Sequence, residues 1–174
     1  MSECLNWYAV RTRSNCEKKV RGLLVEKGIE NYLPTFTEVH QWKDRKKLTE
    51  LPVFPGYVFT QISDSREGRL SVLRIQGVVS ILGQGERIEA IPEHEIHAVR
   101  RLLEGAGRVA AHPLLREGAW VRVKRGALQG LEGLLVQIKN QERLVLSISL
   151  LTRSVSTEID VSDVQFLKSA QTAA

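Results

Sequence analysis

The sequence is poor in cysteine, and this scarcity excludes two ways of stabilising a small fold. Cys4 and Cys16 are its only cysteines. They are too few for a disulfide framework, and a zinc site would lack its third and fourth ligands. A chain of this kind suits the reducing cytoplasm. We expect neither a signal peptide nor a membrane span, because the chain has no apolar leader and no apolar run of about 18 residues.

Signals of enzyme chemistry are scarce as well. No Ser-His-Asp set, phosphate-binding loop or carboxylate pair stands at a useful spacing. Gly126, Gly130 and Gly133 lie in a predicted β-turn with no helix after it. His94 and His97 can share one face of a predicted helix, but no carboxylate or cysteine is spaced to complete a metal site. The sequence therefore predicts a protein that is not an enzyme and has no metal or cofactor.

Length and charge limit the architecture and the kind of partner. With 174 residues, 43% of them hydrophobic, the chain can form one medium domain or two small ones. Lys and Arg number 25 against 20 Asp and Glu, which gives a net charge of +5. This modest excess is compatible with a nucleic acid or an acidic protein surface as partner, and it proves neither.

The first part of the chain alternates strand and helix signals. Strands are predicted at Trp7–Arg13, Asn31–Gln41 and Val78–Leu82, and helices from Ser14 to Gly28, from Asp64 to Arg74 and from Pro92 to Gly105. Ser14 and Glu17 have the spacing of a capping box at the start of the first helix. Cys16 is interpreted as a packing residue, because it lies on the apolar face of that helix.

A basic hairpin tip is predicted after the second strand. Trp42 is followed by Lys43, Asp44, Arg45, Lys46 and Lys47. A charged turn is usually a solvated loop. Four cations beside a tryptophan are also typical of a phosphate contact, so the residues leave both interpretations open.

The stretch Leu51–Ile62 concentrates aromatic side chains, proline and glycine. Pro52 and Pro55 predict a bent entry to a strand that begins at Tyr57. Alternation along this strand places Tyr57 and Phe59 on one face. Such rings can pack in the core or line a pocket for a partner, and the pattern alone leaves both open.

The second half of the chain has a different character. Residues 105–116 combine glycines, small residues and a proline, which predicts a linker. From Glu117 to Lys168, five short alternating strands with polar turns predict a small β-barrel. The predicted class is therefore α+β, with an α/β domain at residues 1–104, a linker at 105–116 and a barrel at 117–168.

Four segments in this order resemble the NusG-type transcription elongation factors. They are WYAVRT, FPGYVF, GVVSILG and a C-terminal half with the glycine-spaced KOW motif, VRVKRGALQGLEGLLVQI. The resemblance implies a ferredoxin-like α/β sandwich followed by a five-stranded, SH3-like KOW barrel. It also implies a cytoplasmic and monomeric protein that binds the clamp helices of the largest subunit of RNA polymerase, closes over the DNA channel and suppresses pausing or termination.

The resemblance also implies which residues make each contact. The polymerase-binding surface would comprise Phe54, Pro55, Tyr57 and Phe59, with Ile96 and Val99 of the last helix on its other side. The hairpin WKDRKK and the segment LLTRSVSTEID look more like the specialised RfaH- and UpxY-like paralogues than the housekeeping factor. In those paralogues the hairpin meets the non-template DNA strand, which would assign that contact to Lys43, Arg45, Lys46 and Lys47.

The partner of the C-terminal half stays open. In the family this domain contacts Rho or a ribosomal protein through a loop with an aromatic residue. The matching residues are Leu150, Leu151, Thr152 and Arg153, and Leu151 stands where the aromatic residue is usual. The main alternative for the whole chain is a general RNA-binding or ribosome-associated KOW protein, since KOW barrels also occur there.

Overall fold

A computed structural model gives the fold of residues 4–42, 45–84, 87–105, 109–113, 118–138, 141–148, 151 and 153–167. The chain forms two compact units, Met1–Glu93 and His94–Ala174. The predicted domain boundary after residue 104 differs from this division in the assignment of one helix, which the structure groups with the second unit. No helix of the described ranges is both long enough and apolar enough to cross a membrane.

Strands and helices of the first unit follow one another in the predicted order. Its strands are β1 (Leu5–Thr12), β2 (Asn31–Tyr32), β3 (Thr35–Trp42), β4 (Arg45–Pro52), β5 (Tyr57–Ser63), β6 (Val78–Ile81), β7 (Gly83–Gln84), β8 (Arg87–Ile88) and β9 (Ala90–Ile91). Its helices are α1 (Glu17–Glu26) and α2 (Arg66–Leu73). The predicted second strand is divided into β2 and β3, because Pro34 has no N–H to give to a ladder.

The main sheet of this unit has the order β2-β5-β1-β6, and β9 also pairs with β1. Each neighbouring pair is antiparallel. Counting only β1, β2, β5 and β6 with the two helices, the chain order is β-α-β-β-α-β, which is that of ferredoxin-like folds. The mixed α/β class predicted for this half is confirmed. Strands β3 and β4 form a separate two-stranded hairpin.

The core of the first unit lies between the sheet and its two helices. Alternate residues of β1 and β5 point to this side, and they pack against apolar positions of the helices. The buried cluster comprises Tyr8, Val10, Val20, Leu24, Leu33, Val58, Ile62, Val72 and Ile75. Cys16 packs against this cluster, as predicted.

The N-caps of both helices lie one or two residues beyond the predicted helix starts, Ser14 and Asp64. The N-cap of α1 is Cys16, and no side chain caps it. Ser14 cannot serve because the chain turns at Asn15, which has a φ of 60°. At α2 the N-cap is Ser65, whose hydroxyl accepts from Gly68 N–H at 3.0 Å.

The second unit contains α3 (Glu93–Gly105) and an antiparallel sheet. The helix follows Pro92, as predicted for a proline in the first turn. The strands are β10 (Val109–Pro113), β11 (Ala119–Val123), β12 (Glu132–Ile138), β13 (Gln141–Ile148), β14 (Arg153–Glu158) and β15 (Val164–Phe166). They pair in the order β10-β14-β13-β12-β11-β15.

Strand β10 lies inside the segment predicted as a linker. It pairs with β14 from Val109↔Thr157 to Pro113↔Arg153. The glycines, small residues and proline of this segment suggested a linker, but β10 is an edge strand, where a missing proline N–H costs no ladder bond. Residues 109–113 therefore form a strand within the segment predicted as a linker.

Candidate functional site

Several aromatic side chains share the face of the first sheet opposite α1 and α2. The strand register places side chains of β1, β2 and β5 together there. We call this side of the sheet the ring face; it comprises Trp7, Ala9, Arg11, Tyr32, Tyr57, Phe59 and Gln61. Arg11 is opposite Tyr57, and Ala9 is opposite Phe59. The predicted alternation of Tyr57 and Phe59 is thus reproduced in the sheet.

Three rings of this region contact one another. The ring of Phe59 lies nearly parallel to that of Tyr32, with centroids 6.4 Å apart. Phe54, from the loop after β4, meets Phe59 edge to face at 5.7 Å. Phe54 is 1% exposed and Phe59 is fully buried. For Phe59 the structure selects core packing from the two interpretations that the sequence left open, and Phe54 packs with it.

The accessible part of this region is the turn between Phe54 and Tyr57, which we call the Pro-Gly turn. Pro55 is exposed and Tyr57 is half-buried. Tyr57 N–H donates to Phe54 C=O at 3.1 Å, and Gly56 has a φ of 84°. A proline followed by a residue with positive φ defines a type II β-turn.

Two hydrogen bonds fix the Pro-Gly turn to its surroundings. The N–H of Gly56 donates to the carboxylate Oε1 of Glu17 at 2.7 Å. The carbonyl of Gly56 accepts from Thr12 N–H at 2.8 Å. Glu17 begins α1 and is only 7% exposed. The end of β1 and the start of α1 therefore hold the turn on two sides.

A cavity of about 280 Å³ opens at the other end of the ring face. It is lined by Leu5, Asn6, Trp7, Gln61, Ala90, Ile91, Pro92 and Glu93. Trp7 is opposite Gln61, whereas Tyr57 lies four residues away along β5, or about 13 Å. The cavity is therefore separate from the Pro-Gly turn.

The basic hairpin is joined to α1 at its root. Lys18 Nζ donates to Glu50 Oε2 at 3.0 Å and to the Glu50 carbonyl at 3.1 Å. Thr35 hydroxyl donates to Glu50 Oε1 at 2.7 Å. The Thr35 hydrogen bond, followed by Lys18, lowers the pKa of Glu50. These contacts connect β3 and β4 to a helix of the core.

Three of the four predicted DNA-contacting cations fall in the outer half of β4. Lys43 lies outside the described residues, and the backbone of Arg45 and Lys46 lies in β4. Lys47 is exposed. Nearer the root, Val39 and Leu48 are register partners and are 55% and 69% exposed. The predicted hairpin is present, and its contact with DNA stays a prediction.

The other predicted contact residues lie in the second unit. Ile96 and Val99 of α3 are each 1% exposed. Leu151 is 5% exposed, Arg153 begins β14, and Leu150 and Thr152 lie outside the described residues. The structure thus brings Phe54, Pro55, Tyr57 and Phe59 together in the first unit, whereas the α3 pair belongs to the second. The roles of all these residues in binding stay predictions.

Sequence reasoning missed several residues that build this region. Tyr32, Trp7 and Arg11 share the ring face, and Glu17 holds the turn. Alternation along β1 puts Trp7 and Arg11 on one face, but only the strand register shows that this is also the face of Phe59. The bond from Glu17 to Gly56 joins residues 39 positions apart, so a local capping motif was the only signal visible in the sequence.

Comparison with known proteins gives one consistent result. A family model described as transcription termination factor nusG matches residues 5–100. Similar proteins are described as transcription termination/antitermination protein NusG. That of Vibrio vulnificus is 29% identical over 175 residues, covering 92% of this chain and 95% of the relative. That of Escherichia coli is 27% identical over 173 residues, covering 91% and 94%.

A solved structure agrees with this result at the level of the fold. It is described as domain interaction in Thermotoga maritima NusG, and it matches this chain with a TM-score of 0.56 at 20% identity. The match covers 95% of this chain and 98% of the other. The two proteins therefore share a mixed α/β fold.

Proposed function

Because the chain belongs to the NusG family of transcription factors, which are not enzymes, we propose that its first unit docks on RNA polymerase. The site on the polymerase would be the clamp helices of the largest subunit. A factor bound there closes over the DNA channel and suppresses pausing or termination. We place this activity in the cytoplasm, where reducing conditions suit the free thiols of Cys4 and Cys16.

The observation that carries the proposal is the accessible Pro-Gly turn in front of a packed aromatic cluster. Phe54 and Phe59 are sealed beneath the surface, so Pro55 and Tyr57 would make the direct contact. A rigid turn with a half-buried ring loses little conformational freedom on binding. A few such anchors can carry most of the energy when an amphipathic helix lies against an apolar surface.

The basic hairpin supports a second contact, with the non-template DNA strand. We assign it to Lys43, Arg45, Lys46 and Lys47, whose charges would neutralise phosphates. Lys47 is exposed in β4, and the root of the hairpin is anchored to α1. This hairpin, with the segment LLTRSVSTEID, is the basis for proposing an operon-specialised paralogue of the RfaH or UpxY type.

For the second unit we propose a KOW domain that recruits another protein. Strands β11 to β15 would form the five-stranded, SH3-like barrel of residues 117–168. Rho or a ribosomal protein is the expected partner, through residues 150–153. Because Leu151 is 5% exposed, contact through its side chain would require this loop to move.

Substitution of Tyr57 tests the polymerase contact. Tyr57→Ala should weaken binding of the purified full chain to RNA polymerase core enzyme by about tenfold, as expected for an aromatic anchor. Phe166→Ala is the matched control, because Phe166 is a 57% exposed aromatic residue of the second unit. Unchanged affinity of Tyr57→Ala would contradict the proposal. A steep loss of binding with salt would instead indicate the alternative, a phosphate-driven RNA-binding protein.

A charge reversal tests the DNA contact separately. Lys47→Glu should reduce recruitment to paused elongation complexes more than binding to free polymerase. Lys124→Glu is the control, since it reverses an exposed cation of the second unit. Equal losses in both assays, or equal losses for both variants, would argue against a DNA contact at the hairpin.

A further inference from the structure

The orientation of one peptide group distinguishes the Pro-Gly turn from the commoner type I turn. Between types I and II, ψ of the second residue changes by about 150°, which reverses the N–H of the third residue. In this turn the second residue is Pro55 and the third is Gly56. The direction of the Gly56 N–H therefore reports, and can determine, which type the turn adopts.

That N–H is held by a buried carboxylate. Glu17 Oε1 accepts from Gly56 N at 2.7 Å, and Glu17 is 7% exposed. A hydrogen bond to a charged acceptor is about twice as strong as one between neutral groups. In a type I turn the Gly56 N–H would point away from Glu17, and this bond would be lost. The bond therefore favours type II over type I.

The position of Glu17 in α1 suits this task. It lies in the first turn of the helix, where a negative charge is favoured by the helix dipole. The N-cap residue Cys16 makes no side-chain cap bond, and the Glu17 carboxylate reaches across to another segment. The side chain that the sequence suggested for capping instead accepts a hydrogen bond from the turn, 39 positions further along the chain.

We propose that Glu17 is a positioning residue that holds the Pro-Gly turn in its type II form, and that RNA polymerase recognises the turn in this form. The inference rests on the proposed docking function. Glu17 itself does not touch the polymerase in this scheme. It acts through Gly56, and it sets which atoms of Pro55 and Tyr57 the partner meets.

Two conservative substitutions separate position from charge. Glu17→Gln keeps the length of the side chain and an acceptor oxygen but removes the charge. Glu17→Asp keeps the charge at the helix start but shortens the reach by one methylene. Glu26→Ala, at the exposed last position of α1, is the control for removal of a carboxylate from the same helix. Both Glu17 variants should retain the native circular dichroism spectrum.

The first readout is the amide resonance of Gly56 in the full chain. A short bond to a carboxylate moves an amide proton downfield, so Glu17→Asp should move this resonance upfield, while Glu26→Ala should leave it unchanged. This measurement needs no polymerase. An unchanged Gly56 resonance in Glu17→Asp would overturn the inference whatever the protein binds.

The second readout is affinity for RNA polymerase core enzyme. Glu17→Asp should weaken binding about tenfold, and Glu17→Gln should stay within about threefold of the unsubstituted chain. A loss in Glu17→Gln as large as or larger than that in Glu17→Asp would mean that the charge matters at least as much as the position, which would overturn the inference. Wild-type affinity of Glu17→Asp would overturn it as well.

Tyr57→Ala, measured in the same assay, separates this inference from the function on which it rests. If Tyr57→Ala binds weakly while Glu17→Asp binds normally, docking stands and the role of Glu17 is refuted. If Tyr57→Ala binds normally, docking itself is refuted, and recognition of the turn falls with it. The Gly56 resonance then still decides whether Glu17 controls the turn.

Discussion

Replacement of Phe59 by alanine should destabilise the first unit severely. Phe59 is fully buried, stacks near Tyr32 at 6.4 Å and meets Phe54 at 5.7 Å. Deleting a buried phenylalanine ring typically costs about 3–5 kcal/mol, and each lost aromatic pair contributes about 0.5–1.5 kcal/mol of its own. We therefore expect a loss near the upper end, about 5 kcal/mol. A loss of that size is comparable to the entire stability of many domains, about 5–15 kcal/mol.

Urea unfolding of the full chain, followed at the amide of Val58 by NMR, measures this loss. Phe59→Leu keeps most of the buried volume and should cost only about 1–2 kcal/mol. Tyr57→Ala, two residues earlier in β5 and half-buried, should cost about 1 kcal/mol. A loss below about 1 kcal/mol for Phe59→Ala would refute the core position of the ring.

This prediction also decides which variant can test docking. Loss of polymerase binding by Phe59→Ala would follow from unfolding alone, so it cannot identify a contact residue. Tyr57 is the informative position because its ring is half-buried and its removal should leave the sheet intact. The buried rings act on a partner only through the turn that they support.

Two further predictions concern the turn and the hairpin root. Gly56→Ala should lower the free energy of unfolding by about 1–2 kcal/mol, because the φ of 84° at this position is unfavourable for alanine. The added Cβ itself would meet no atom within 4 Å. Gly22→Ala in α1, where an added Cβ also meets no atom within 4 Å, should instead raise the free energy of unfolding by about 1 kcal/mol. Equal effects at the two glycines in urea unfolding would contradict this reasoning. Thr35 and Lys18 lower the folded-state pKa of Glu50. Ionised Glu50 therefore stabilises the fold above its unfolded-state pKa, about 4.3, and this stabilisation is lost as the pH falls through the folded-state pKa. In acid titrations of stability, the Glu50→Gln variant should not show this loss. Solvent screening limits the loss to less than about 1 kcal/mol. Identical acid profiles for the variant and the unsubstituted chain would contradict this role of Glu50.

The elements with strong local signals were predictable from the sequence. Alternation in Trp7–Arg13 located β1, and Pro92 located the start of α3. The last of the five short strands predicted between Glu117 and Lys168 is observed as β15, Val164–Phe166. In each case a single period or one proline dominates the segment, and no distant contact opposes it.

The failures arose where distant contacts decided the structure. Pairing with β14 makes a strand of residues 109–113, although their composition favours a linker. Glu17 had the spacing of a cap, but the donor at Gly56 is held beside it by the sheet. The aromatic face was predictable from alternation in β5. The burial of Phe59 was not, because it depends on Tyr32 and Phe54 from other segments.

The strand order of the first sheet also has a consequence for synthesis of the protein. Val10 of β1 pairs with Val58 of β5, 48 residues further on. At about 5–20 residues per second, the ribosome delivers that partner roughly 2–10 s after β1 itself. During this interval the backbone groups of β1 and its buried Trp7 and Tyr8 have no native neighbour strand. The nascent chain should therefore be most prone to aggregation, and most in need of a chaperone, before residue 63 has emerged.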